Sequence, residues 1–159
     1  MSAATTLVKL PVARALQLKS IADARECTIC EAVEHLLREE VRAGRLADVL
    51  PGFEVSTIGG SVRFGIGEVD LPPMHPAHAR VVASLFQHAA SGMPAGRGNA
   101  LTLGDDAPYQ LTVGRKGRGI VGRVSCEALK ISHSFSMTTG MARDLSRQIG
   151  KAAARAQLA

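Results

Sequence analysis

A Thr-x-x-Glu capping box, Thr28-Ile29-Cys30-Glu31, divides the first fifty residues into two short helical stretches. A brief extended segment, Thr5-Thr6-Leu7-Val8-Lys9-Leu10-Pro11, precedes them. In such a box the Thr hydroxyl accepts from the amide three residues on, and the Glu carboxylate accepts from the amide of the Thr. The first helix carries Ala15, Leu18, Ile21, Ala22 and Arg25 at helical spacing, and the second carries Ile29, Val33, Leu36, Leu37 and Val41. Glu34, Arg38, Glu39 and Arg42 lie off the second stripe. One strand and two helices with so few apolar residues cannot close a core alone, and a second copy is the obvious partner. A helical hairpin packed on the rest of the chain is the alternative.

The strand, helix, helix order over residues 4–44 resembles the ribbon-helix-helix (Arc/MetJ) superfamily of dimeric DNA-binding proteins. The resemblance rests on Val8-Lys9-Leu10-Pro11, on Leu18, Ile21 and Ala22, on the Thr28–Glu31 start and on Val33, Leu36 and Leu37. Two positions depart from the family pattern. Glu26-Cys27 stands where many members have a Gly, and Leu7 is apolar at an outward strand position. The resemblance implies an antiparallel two-chain ribbon that enters the major groove. Alternation then puts Thr6, Val8 and Leu10 toward the helices and Thr5, Leu7 and Lys9 toward base edges. It also implies that the second helix's start, at Thr28 and Ile29, holds the dimer on the DNA backbone, where its dipole favours phosphate. A plain helix cap is the other role open to Thr28.

At 159 residues the chain exceeds one such module by enough for a second domain. The expected division is residues 1–48 for the DNA-binding and dimerisation module and 53–159 for an α+β domain of antiparallel sheet plus helices, with a linker over 43–52 ending in Pro51-Gly52. Runs 53–58 and 61–66 across Gly59-Gly60 read as a hairpin. A helix is expected over 78–90, a Gly-rich loop over 91–99, strands at 100–103, 109–114, 119–124 and 129–137, and a helix over 138–157. Residues 66–90 and 131–153 both read as strand, turn, Ala-Arg and apolar helix. A duplicated ββα-type unit and a convergence of two ordinary strand–helix units both account for this.

Residues 1–50 hold seven Lys/Arg and seven Asp/Glu, so the net +5 comes from residues 51–159, with twelve against seven. The densest cluster is Arg115-Lys116-Gly117-Arg118, continuing to Arg123. A basic hairpin tip there could track phosphates, or its glycines could serve geometry and its charges solubility. One Tyr, four Phe and no Trp leave few platforms for stacking single-stranded bases.

Other chemistry is thin. Cys27-x-x-Cys30 has redox or metal spacing, and a helix N-terminus would lower the Cys30 pKa, but no second pair accompanies it. His75-x-x-His78 could bind a metal with Cys126 or His133, or simply open a helix. Turn chemistry explains Asp105-Asp106. Nucleophile elbow, phosphate-binding loop and supported carboxylate pair are all missing, so neither an enzyme nor a cofactor is expected. Three cysteines and no apolar run or signal point to a cytoplasmic protein. The expected function is a homodimeric, sequence-specific double-stranded DNA-binding regulator, a repressor, whose second domain dimerises dimers, senses something or adds backbone contacts. The alternatives are an accessory factor of a plasmid or mobile element, in partition or relaxase loading, and a protein-interaction module that binds no DNA.

Overall fold

A computed structural model describes residues 7–92 and 100–159. Among the described residues the protein is a mixed α+β chain of four helices and two antiparallel sheets, in two compact units that part between Asp48 and Val49.

The first unit is a helical hairpin, α1 (Val12–Ala24) and α2 (Ile29–Arg42). Both helices end in the same way. Glu26 N–H donates to Asp23 O and Cys27 N–H to Ala22 O, while Gly44 N–H donates to Val41 O and Arg45 N–H to Glu40 O. These paired reversed bonds form a Schellman motif, which needs a left-handed residue just past the helix. After α2 that residue is Gly44, at φ +71°; after α1 it is Glu26, at φ +51°. The left-handed position after α1 is therefore held without a glycine.

The second unit holds β1 (Phe53–Ile58), β2 (Ser61–Ile66), β3 (Val69–Asp70), α3 (Pro76–Ala90), β4 (Ala100–Leu103), β5 (Tyr109–Lys116), β6 (Gly119–Cys126), β7 (Ile131–Met137) and α4 (Thr139–Ala156). The sheets run β1-β2-β3 and β4-β5-β6-β7. The expected 53–66 hairpin and the strand at 100–103 are present, while α3 begins two residues before 78 and β7 two residues after 129. Sequence patterning gave no hint of β3. Two residues show no alternation, and Pro72-Pro73 interrupts the edge before Met74 bridges to Val62. Most of the Gly-rich loop, at 93–99, lies outside the described residues.

The repeat is deeper than residues 66–90 and 131–153 suggest. Both hairpins have two-residue turns: Gly59-Gly60 between Ile58 and Ser61, and Gly117-Arg118 between Lys116 and Gly119. The first puts both central residues at positive φ (+52°, +75°), the second only Gly117 (+61°), the requirements of I′ and II′ turns. In each half the second strand's core residue pairs with the Met two positions before the helix, Val62 with Met74 and Ile120 with Met137. The N-caps follow at His75 and Thr138. Buried positions then coincide along the helices, with Ala79, Val82, Phe86, Ala89 and Ala90 matching Ala142, Leu145, Ile149, Ala152 and Ala153. The unit thus repeats a β-β-β-α arrangement, with β4 added before the second copy.

The two copies build one core by exchange. α4 packs chiefly on β1 and β2, α3 on β5, and the helices pack on each other. Ser146 Oγ donates to Ala83 O at 2.8 Å. These two residues occupy equivalent places in the repeat, so the helix pair is close to two-fold symmetric there. Arg80, early in α3, donates to Gln157 at the end of α4, which makes the pair antiparallel. Phe86 joins the layers, edge-to-face on Phe64 of β2 (6.0 Å) and tilted on Phe135 of β7 (6.3 Å).

Candidate nucleic-acid interface

In the first unit, only Ala22 and Ala32 are buried among the described residues. Leu7, Val8, Leu10, Val12, Leu16, Ile29, Val33 and Leu37 are all exposed, from 37% at Val33 to 84% at Leu7. Val12 and Leu16 lie away from the Leu18–Ile21–Ala22 side of α1, so this helix is apolar on more sides than α2 covers. Fixing each backbone residue costs about 1–2 kcal/mol, and a fully buried aliphatic side chain returns about 1.5–3 kcal/mol. Against that cost the hairpin buries two alanines and half-buries Leu18, Ile21, Leu36 and Val41, leaving much of its apolar surface exposed.

Thr5 and Thr6 lie outside the described residues. Residues 7–10 form no strand pairing with the described residues, and Pro11, at φ −54° and ψ 141°, is extended. Val8 and Leu10, expected toward the helices, are 71% and 47% exposed, so α1 and α2 do not cover them. Leu7 and Lys9 are exposed as well.

The capping box is present: Thr28 N–H donates to Glu31 Oε2 at 2.8 Å, and Glu31 N–H to Thr28 Oγ1 at 3.2 Å. Thr28 Oγ1 also bonds Glu31 Oε2 at 2.8 Å. The box occupies both the amide and the hydroxyl of Thr28 and sets a carboxylate beside them. The first-turn amides of Ile29 and Cys30 are the ones with no intrahelical partner. Cys30 corrects the expectation of a lowered pKa. Partial desolvation first, then the charges of Glu34 and Glu31, raise its thiol above the usual value. Cys27 is half-buried, its amide in the Schellman motif.

In the second unit the basic tip stands on the β5–β6 turn. Lys116 and Arg118 are exposed, but Arg115 is half-buried. Its Nε donates to Gly117 O at 3.1 Å, and its guanidinium lies beside Gly92 at the C-terminal end of α3, where a helix dipole favours a cation. Arg115 therefore braces the turn, and Lys116 and Arg118 are its outward charges. The tip sits at the start of α4, since Ile120 pairs with Met137, one residue before the Thr138 cap.

His75 Nδ1 accepts from Ala77 N–H at 3.2 Å, with Pro76 following at the first helical position, so His75 caps α3. Cys126 is buried, and the His133 ring lies against Gly67. Among the described residues no three His, Cys, Asp or Glu side chains gather to hold a metal ion, and no helix is long and apolar enough to cross a membrane.

Sequence reading missed one group. Arg143, Arg147, Lys151 and Arg155 stand four residues apart on the exposed side of α4. Their spacing was visible, but reading them as one surface required knowing that Ala142, Leu145, Ile149 and Ala153 face inward. No family model, curated protein or solved structure matches the chain.

Proposed function

We propose that the protein is a homodimeric, sequence-specific double-stranded DNA-binding regulator, a repressor that places a two-stranded ribbon from residues 5–10 of two chains in the major groove. The observation that carries the reading is the uncovered apolar surface of the first unit, from Leu7 to Leu37. A second copy would cover it and give residues 7–10 a pairing partner. Both Schellman ends and the capping box agree with the ribbon-helix-helix resemblance drawn from the sequence. In a ribbon, Thr5, Leu7 and Lys9 read bases, Lys9 by donating to guanine O6/N7 and Leu7 by packing on a thymine methyl. The α2 start approaches phosphate through the Ile29 amide, with Thr28 holding the helix end in shape.

Sedimentation equilibrium of the full chain and selection from a random pool of duplexes test this directly. The expected outcome is a dimer that enriches an inverted repeat. Lys9→Ala should then bind the selected duplex roughly 5- to 150-fold more weakly, the equivalent of about 1–3 kcal/mol for a lost base contact. A dimer that enriches no duplex would sink the DNA reading and favour a protein-interaction module.

A further inference from the structure

The repeat supplies an internal comparison for charge. The first copy, residues 53–92, holds two Lys/Arg and three Asp/Glu; the second, residues 109–157, holds nine and two. The two copies share the strand-strand-strand-helix order and the buried positions of the helix, so the helix fold does not require the cations of α4. Nor does the solubility of an exposed helix face. The positions of α3 equivalent to Arg143, Arg147 and Lys151 hold Arg80, Ser84 and His88.

On α4 these cations form a ridge. Each four-residue step advances about 6 Å and turns about 40°, so Arg143 to Arg155 spans about 18 Å along the helix while winding about 120° around its exposed surface. All four side chains are exposed. Asp144 is the one acidic residue of α4 and lies 3.5 Å from Arg147. The ridge continues toward the β5–β6 tip, because the tip sits at the start of α4. The exposed positions on α4 are charged or small, with no large apolar side chain among them. A protein-binding patch would have an apolar, often aromatic centre. A row of cations without one is what a phosphate backbone requires, and about 18 Å along a duplex passes on the order of five phosphates of one strand.

We propose that α4 is a second DNA-contacting surface, in which Arg143, Arg147, Lys151 and Arg155 grip the phosphate backbone of duplex DNA without reading its sequence. This rests on the DNA-binding reading of the first unit and adds to it a source of affinity on a separate element. The duplex would run along the ridge, with the tip cations Lys116 and Arg118 beyond its N-terminal end.

The test is a salt titration of the full chain on a fluorescein-labelled duplex of scrambled sequence and on the selected duplex. It compares wild type with Arg143→Gln, Arg147→Gln, Lys151→Gln and Arg155→Gln combined. Gln keeps helix propensity at exposed positions, and far-UV circular dichroism checks the fold. Expected is a log–log salt slope shallower by about 0.9 per lost contact, with binding to both duplexes weakened by the same factor. Arg63→Gln with Lys130→Gln removes charge off the ridge and should leave the slope within one contact of wild type. Wild-type binding with an unchanged slope in the ridge variant overturns the proposal and leaves the N-terminal reading standing. An equal loss per charge in the off-ridge variant also overturns it, in favour of a net-charge effect. If wild type binds neither duplex, both readings fall. Capture of an acidic protein through α4 by a chain that binds no duplex would reassign the ridge.

Discussion

Single residues in this chain can be judged against partners in equivalent positions. Glu26 and Gly44 do the same work at two helix ends, and an L-residue in the left-handed region costs about 1–2 kcal/mol more than in the right-handed one. Glycine there is freer in the unfolded chain, which takes back about 0.5–1 kcal/mol. Glu26→Gly should therefore stabilise the first unit by on the order of 0.5–1 kcal/mol, read as a higher urea midpoint. A fall in the midpoint would mean that the Glu26 side chain holds the turn. Gly122 is constrained by space instead of φ. It pairs with Phe135, whose ring carbons lie 2.1–2.7 Å from where a Cβ would stand. That ring also packs edge-to-face on Phe53 and against Phe86. Gly122→Ala should cost about 1–3 kcal/mol by overpacking. In a Phe135→Leu background the same change should cost little, and an equal cost in both backgrounds would show that the ring is not the obstacle.

At the scale of elements, the helical hairpin and the swapped α3–α4 pair solve the same difficulty differently. A helix with an apolar side must bury it. α3 and α4 do so within one chain, with Phe86, Leu145 and Ile149 fully enclosed. α1 and α2 leave Leu16, Val33 and Leu37 in water. The hairpin should therefore depend on association. Full-chain unfolding should be concentration-dependent, and its low-stability transition should sharpen and rise as the protein is concentrated. Val33→Asp should abolish the dimer in sedimentation while the 49–159 unit keeps its cooperative melt. A concentration-independent melt with a monomeric mass would show that the surface stays open or is covered within the chain.

For the whole molecule, the net charge belongs to one unit. Residues 1–50 are neutral and expose apolar side chains from Leu7 to Leu46, and residues 51–159 carry the whole net +5 around a closed core while exposing Ile58, Val81, Leu129 and Leu158. The expected arrangement of labour is specificity from the first unit and salt-dependent affinity from the second. Neutralising Lys116 and Arg118 at the tip should flatten the log–log salt slope by roughly 0.9 per lost contact. Discrimination between selected and scrambled duplexes should hardly change, since phosphates carry no direct sequence information. Adding Arg115→Gln should lower the melting temperature of the second unit instead, because Arg115 braces the turn and the end of α3. Equal slopes for wild type and the tip variant would take the tip off the DNA.

What the sequence determined by itself is local. The Thr28–Glu31 box, the Gly59-Gly60 turn, the Gly-rich tip and the apolar periodicities of α2 and α4 are decided by residues within a few positions of one another, so spacing alone exposes them. Tertiary structure decided what depends on distant partners. Met74 bridges back to Val62 beyond β3, Arg115 lies beside the end of α3, and α3 and α4 meet at Ala83 and Ser146. The α4 ridge became a surface only when burial of its other side fixed which way the helix faces. The physical reason is the same in each case. Hydrogen bonds and turn geometry are satisfied over short stretches of chain, whereas burial is a property of whatever packs from far away in sequence.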